Sequence, residues 1–461
     1  MRLRMGTFAA AIALLVAVGA SPALAGSGAH AKRHKVFVVC KHGCPYRSIH
    51  AALDAVNKGS NSVIKIRPGT YKEGVTLVGH RYDGISFVGA NQNPRKAVLE
   101  GKNAKLNGTN EQAQNAIDAT NVNGVKIKNL WARNFPTNGF FVHSDNGTTN
   151  CKGFLMKNDL ASFNRSYGLF AKRCIGGRIT DSKGWGHGDS AIYIGETPPQ
   201  KNPKWTEIDH DKAWENVLGY SGTNSKYVDI HDSEFFNNGA GVVPNTLDSE
   251  RFEPNADGKI RDNLIYWNNF NYYLPDSPVK TVSGGLGPGG AYNYPTGIGV
   301  VLFGSDGWTV KDNRIFGHFM WGTASFSDPF NTGHDAVNEH NRFIDNKMGR
   351  GGTDKNQFDF FNDGSGKGNC FSGNSSTTFF RASDASHSKA FLYPTCPAPA
   401  SAGTGTDQGD GYAGFTGQVG ELAGYVTAAP PCSQQDSWVT HSHPAFRGIT
   451  PIDTKDFGAC S

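Results

Sequence analysis

The sequence predicts an all-β chain wound as a parallel solenoid, and three observations support this. A short phrase recurs along the chain with a fixed internal phase. Two cysteines fall at the same phase of successive repeats. Gly, at 58 of 461 residues, and Asn interrupt short stretches of alternating apolar and polar residues, while charged residues make up only 18%. Low charge with many turn formers marks a β-rich chain.

Residues 1–25 read as a secretory leader. Arg2 and Arg4 open it, Ala9–Ala20 is its apolar run, and Ala23-Leu24-Ala25 is a small-residue cleavage pattern. The run is too short for a membrane span, and no later stretch reaches 18 uncharged apolar residues. Residues 26–35 read as a disordered linker. A secreted, extracellular chain follows, with no membrane span. Without the two leader arginines the net charge is +3, against +5 for the whole chain. That gives no reason to expect a nucleic-acid partner and is compatible with an acidic polysaccharide.

The repeat spans 36–396. Its anchor is the last inward aliphatic of a first strand: Ile127, Met156, Ile179, Ile230, Ile260, Val310 and Ile344. Two positions on sits an Asx: Asn129, Asn158, Asp181, Asp232, Asp262, Asp312 and Asn346. Eight positions on lie Asn164, His187, Asn238, Asn268 and His318. A small–aliphatic second strand then begins, as in Gly139–Val142, Gly168–Ala171 and Ala191–Ile194. Successive anchors are 29, 23, 51, 30, 50 and 34 residues apart. The short spacings suit one solenoid turn. The long ones read as turns with insertions near Thr197–Ser225 and Pro275–Thr296. One coil cannot bury its inner face alone, but stacked coils share a core.

The eight cysteines of an exported chain read as disulfides. Cys151 and Cys174 each precede an anchor by five residues. Equal phase makes them vertical neighbours about 4.8 Å apart, within reach of a disulfide. Cys40–Cys44, Cys370–Cys396 and Cys432–Cys460 follow from proximity alone. Residues 397–461 read as an irregular C-terminal cap or tail.

On these residues the chain resembles the right-handed parallel β-helix proteins of the pectate-lyase-like superfamily. YRSIHAALDAV…IKIRPGTYKEGV (Tyr46–Val75) is similar to that group's N-terminal cap, a short helix over the end of the core. GDSAIYIG and NGAGVVPNTLDSE resemble coils of its bacterial members. The resemblance implies the fold and leaves the activity open, because this fold hosts lyases, hydrolases, esterases, epimerases and non-enzymes. QNAIDAT and FDFFNDG only partly echo a pectin methylesterase. GWGHGDS and PNTLDS lack the DD and RIK partners of a polygalacturonase. The DPHD of alginate epimerases is absent.

Alternation sends Phe141, Phe170 and Tyr193 outward in three consecutive coils. Two positions on, the outward column reads His143, Lys172, Gly195 and Asn245, flanked by Asp145, Arg173 and Glu196, and Asp189 lies between the turn and the strand of Tyr193. Aromatic rings beside charges suit a saccharide groove. The alternative is that the inserted loops cover the stripe and build a second small core. His187 shares its slot with asparagines and reads as a turn residue. The Asp209-His210-Asp211 stretch reads as solvated loop, with Ca²⁺ the one ion it admits; no other cofactor is implied.

Two functions remain open from the sequence. One is a monomeric secreted enzyme acting on a polysaccharide, foremost by β-elimination from a uronate. Lys172 and Arg173 would then stabilise charge, and His143 or Lys172 would serve as base. A glycoside hydrolase would use paired carboxylates instead, with Asp189 and Glu196 nearest. The other is a non-catalytic glycan-binding or surface solenoid.

Overall fold

The computed structural model describes residues 35–403, except 57–60, 146–150, 271, 273–278, 280–295, 319, 329–336, 351–353 and 376–388. The leader, nearly all of the linker, Cys432, Cys460 and most of the Pro275–Thr296 insertion lie outside the described residues.

Three parallel sheets of 12, 10 and 11 strands form a right-handed β-helix, and each coil gives one strand to each sheet. The coil with Phe154–Lys157, Leu160–Ser162 and Leu169–Lys172 stacks in register on that with Gly177–Thr180, Lys183–Trp185 and Ser190–Gly195. Inward residues of all three sheets meet in one core, with Ile127, Met156, Ile179 and Ile230 on the first and Phe140, Leu169 and Ile192 on the third. The helix Ile49–Asp54 buries Ile49, Ala52 and Leu53 against this core, and Ser48 caps its start. Buried Glu73 accepts the backbone N–H groups of Ile49 and His50, satisfying donors that a helix start leaves open.

The Asx column turns the chain from the first sheet to the second. Asn129, Asn158, Asp181, Asp232, Asp262 and Asp312 all have φ between 49° and 59°. That left-handed conformation costs most residues roughly 1–2 kcal/mol, and Asn and Asp tolerate it best. The residue after each Asx points inward and builds a ladder. Asp159 Oδ1 accepts Leu130 N–H, Ser182 Oγ accepts Asp159 N–H, Asp211 Oδ1 accepts Ser182 N–H, and Ser233, Asn263, Asn313 and Asn346 continue the ladder. A second ladder fills the next turn: Asn164, His187, Asn216, Asn238, Asn268 and His318. His187 Nδ1 accepts Asn164 N–H at 3.3 Å, and its own N–H goes to Asn216. Burial pushes this imidazole down to about 4, so it is a neutral turn residue in the core.

The structure corrects three expectations. The stretch Thr197–Ser225 is no insertion: Thr206–Asp209, Lys212–Trp214 and Leu218–Thr223 form a complete coil anchored by Ile208. The 51-residue gap is therefore two coils. The last anchor is Phe343, which pairs with Val310, and not Ile344, so the positive-φ corner there is Asp345 and Asn346 belongs to the inner ladder. The Asp209–Asp211 stretch is not solvated loop. Asp209 is buried and held by Arg178 at 2.7 and 2.8 Å, and Asp211 lies in the inner ladder.

Cys151 and Cys174 are paired residues of two short parallel strands and form a disulfide with a Cα–Cα distance of 4.5 Å. Cys40–Cys44 and Cys370–Cys396 are also bonded.

Candidate functional site

The third sheet carries the candidate site on its outward face. Its register aligns Asp118, Phe141, Phe170, Tyr193 and Ser221 in one row, and Thr120, His143, Lys172 and Gly195 in the next. One position further, Arg173 and Glu196 occupy the same corner of successive coils, both with positive φ. Parallel pairing therefore stacks a guanidinium beneath a carboxylate one rung away, about 4.8 Å.

These residues close into a charge cluster. Lys172 Nζ lies 2.8 Å from Glu196 Oε1 and 3.5 Å from Glu250 Oε2. Arg173 Nε donates to the other oxygen of Glu196. The Tyr193 hydroxyl donates to Glu250 Oε2 at 3.2 Å. Sequence reasoning did not single out Glu250. It lies beyond the strand Ala240–Asn245, in a segment that folds back over the neighbouring coils. Asn224 fixes that segment: its Nδ2 donates to the carbonyls of Leu247 and Glu250 at 2.8 and 2.9 Å, and its Oδ1 accepts Leu247 N–H at 3.0 Å. Lys226 Nζ also donates to the carbonyls of Phe252 and Pro254.

The surroundings drive the two glutamates apart in proton affinity. Burial opposes ionisation of Glu196, but hydrogen bonds from Arg173 and Lys172, with their charge, outweigh it and hold this carboxyl below the usual range. Burial raises Glu250, as do the charge of Glu196 and a hydrogen bond to it, against the opposing pull of Lys172 and Tyr193. Asp189, in the turn before the strand of Tyr193, is a third carboxyl. Burial pushes it up to about 7, the Tyr167 hydroxyl opposes this, and the charge of Glu250 adds to it. Its Oδ1 is buried without a hydrogen-bond partner, which is costly for an ionised carboxylate and explains its hold on a proton.

The other expected site residues fall in different places. His143 Nε2 is 3.0 Å from both Asp118 Oδ1 and Thr120 Oγ1, and its Nδ1 faces the carbonyl of Ser144 at 3.2 Å. Neither ring nitrogen is left open to take a proton from a substrate. Lys172, between two carboxylates, is the positive pole of the cluster. Asn245 is buried and its Nδ2 is spent on Ser221 Oγ and the carbonyl of Val243, so it lines no open surface. Among the described residues no three His, Cys, Asp or Glu side chains gather as a metal site needs, and Asp209 is engaged by Arg178.

The aromatic stripe exists but is only partly open. Phe141 stacks on His143 at 3.9 Å and on Phe170 at 4.1 Å, and Tyr193 meets Phe170 edge-on at 4.8 Å. Phe141 is half-buried, whereas Phe170 and Tyr193 are 5% and 2% exposed. Toward the C-terminal coils the same face becomes a second apolar core, in which Phe270, Tyr272 and Val279 pack with Val243, Val301 and Ala324. The second-core alternative describes the C-terminal half of the face, while toward the N-terminal coils Phe141 is half-buried.

The described residues thus form a right-handed parallel β-helix with a carboxyl-rich centre on the outward face of one sheet. No family model and no curated protein matches the chain. Among solved structures it is similar to the Azotobacter vinelandii mannuronan C-5 epimerase AlgE4 A-module, at 14% identity and a TM-score of 0.44 over 71% of this chain and 82% of that one. It is also similar to pectate lyase Pel9A, at 15% identity and 0.37 over 75% and 78%. A third is the Agl-KA catalytic domain, at 13% identity and 0.43 over 79% and 68%.

Proposed function

We propose that this chain is a secreted glycan-processing enzyme that works by acid–base chemistry at Glu250, and that it hydrolyses a glycosidic bond. One observation carries the reading: on a single sheet face, two touching carboxyls are driven apart, Glu196 below the usual carboxylate range by Lys172 and Arg173 and Glu250 above it by burial. Such divergence separates acid and base roles. Glu250, 24% exposed at its side chain, gives its proton to the departing glycosidic oxygen. Glu196 stays charged on Lys172 and Arg173 and anchors the centre. Glu250 and Glu196 are in hydrogen-bond contact, closer than the roughly 5–9.5 Å that the two carboxyls of a glycosidase keep. Glu196 therefore does not serve as the second working carboxylate.

Hydrolysis is preferred to elimination because both cations of the cluster are already committed to Glu196, and elimination needs one for the uronate carboxylate. Elimination is the second reading because Lys172 is 22% exposed and also meets Glu250; a uronate carboxylate could take the place of Glu250 there.

The test is a screen of the purified protein on β-glucan, α-glucan, xylan, pectate and alginate. We expect new reducing ends without absorbance near 235 nm, and a loss of about 10²–10⁴-fold in Glu250→Gln, the usual worth of a general acid. Absorbance at 235 nm would replace hydrolysis by elimination. Silence on every glycan would leave a binding solenoid.

A further inference from the structure

The outward row through Tyr193 has unequal halves. Toward the N-terminal coils it continues through Phe170 to Phe141, Asp118 and Thr76, and the last three are only half-buried. Those four rungs from Tyr193 span roughly 19 Å at strand spacing. The groups beside them suit a hydroxyl-rich chain. Phe141 offers its ring edge, because His143 and Phe170 stack on its two faces. Asp118 accepts from Asn115 Nδ2 at 2.9 Å and from His143 at 3.0 Å, which fixes its carboxylate at the surface. Toward the C-terminal coils the row runs through Ser221, Val243, Val301 and Ala324, all buried. Phe270, Tyr272 and Val279 pack with Val243, Val301 and Ala324, and the Glu250 segment, tied down by Asn224, closes over Tyr193 itself.

We infer that the groove is one-sided and that the enzyme acts on chain ends. A glycan lies along the N-terminal rungs over Phe141 and Asp118, its terminal portion reaches Glu250, and the packed apolar cap prevents the chain from continuing past it. A blocked end converts an acid–base centre on an open sheet into one that releases short fragments from a terminus. This inference rests on the proposed hydrolytic reading.

The probe is whichever polymer of the five-glycan panel is cleaved, with solution viscosity and product size followed against reducing ends. We expect one short product length from the earliest time point, with viscosity lagging far behind reducing ends. Phe141→Ala should raise KM for long oligomers by about 2- to 12-fold, the worth of one aromatic contact. Phe141→Leu, which keeps the packing on Phe170, should give the same direction and guards against a folding defect. A rapid fall in viscosity with a ladder of product sizes would overturn chain-end action while leaving the hydrolase reading intact. An unchanged KM in both Phe141 variants would remove the N-terminal rungs from the groove. No cleavage of any polymer, or cleavage indifferent to Glu250→Gln, would remove the hydrolase reading and this inference with it.

Discussion

Replacing Asp211 by asparagine should stabilise this protein at neutral pH. Asp211 lies in the inner ladder, where Oδ1 accepts Ser182 N–H at 2.6 Å and Oδ2 is buried without a partner. Later coils place asparagines in the same slot. Asn263, Asn313 and Asn346 each accept one backbone N–H and donate Nδ2 to the anchor carbonyl of the preceding coil, Ile230, Ile260 and Val310, at 2.8–2.9 Å. By the same geometry the carbonyl awaiting Asp211 is that of Ile179. A protonated carboxyl can donate to it and an ionised one cannot. Burial accordingly drives the Asp211 carboxyl well above its ordinary value of 3.8, helped by the charges of Asp209, Asp181 and Asp159. The folded protein then binds this proton more tightly than the unfolded chain. The contribution is most favourable below about pH 4 and is lost as pH rises toward the folded value. An amide supplies the missing donor at every pH. The gain should be about 1–3 kcal/mol at pH 7.5, the cost of an unsatisfied buried polar group, and should shrink toward zero at pH 4. Denaturant unfolding followed by tryptophan fluorescence at both pH values measures it. A destabilised Asp211→Asn at pH 7.5, or an equal gain at both pH values, would refute the reasoning.

Three further outcomes are expected. Activity that needs protonated Glu250 should fall as pH rises through its elevated value, and a pH–rate profile should lose that limb in Glu250→Gln. Asn224→Ala removes three hydrogen bonds from the Glu250 segment and should lower kcat about 10-fold or more with a smaller change in KM, because a misplaced acid costs rate; an unchanged kcat would show that the segment holds itself. Cys151→Ser opens a disulfide closing 23 residues of sequence and should cost about 3 kcal/mol in denaturant unfolding.

Much of the fold was legible because parallel stacking makes phase equal to position. The fixed offsets from Met156 and Ile179 were enough to pair Cys151 with Cys174 and to place His187 among turn asparagines. Alternation alone put Lys172 and Tyr193 on the outer face. The coil at Ile208 was also legible: Asn216 lies eight residues after Ile208, the spacing seen in its neighbours. It was missed because His210 stands where the other corners have Asx and so broke the pattern. The Ile344 anchor failed by one residue, since Phe343 fills the aliphatic slot there.

What the sequence determined by itself is what one repeat imposes on the next: the parallel coil, its in-register rungs, the corner residues able to take positive φ, and the outward row bearing Arg173 beneath Glu196. What only the tertiary structure decided is everything that arrives from outside the repeat. Glu250 has no phase, because its segment leaves the coil and folds back, so no spacing could bring it to Lys172 and Tyr193. The burial of Tyr193 and the packing of Phe270 and Tyr272 with the C-terminal half of the face have the same origin. Periodicity specifies which way a side chain points, while the packing of non-repeating segments determines what it meets there, and with that the proton affinity of Glu250 and Asp189.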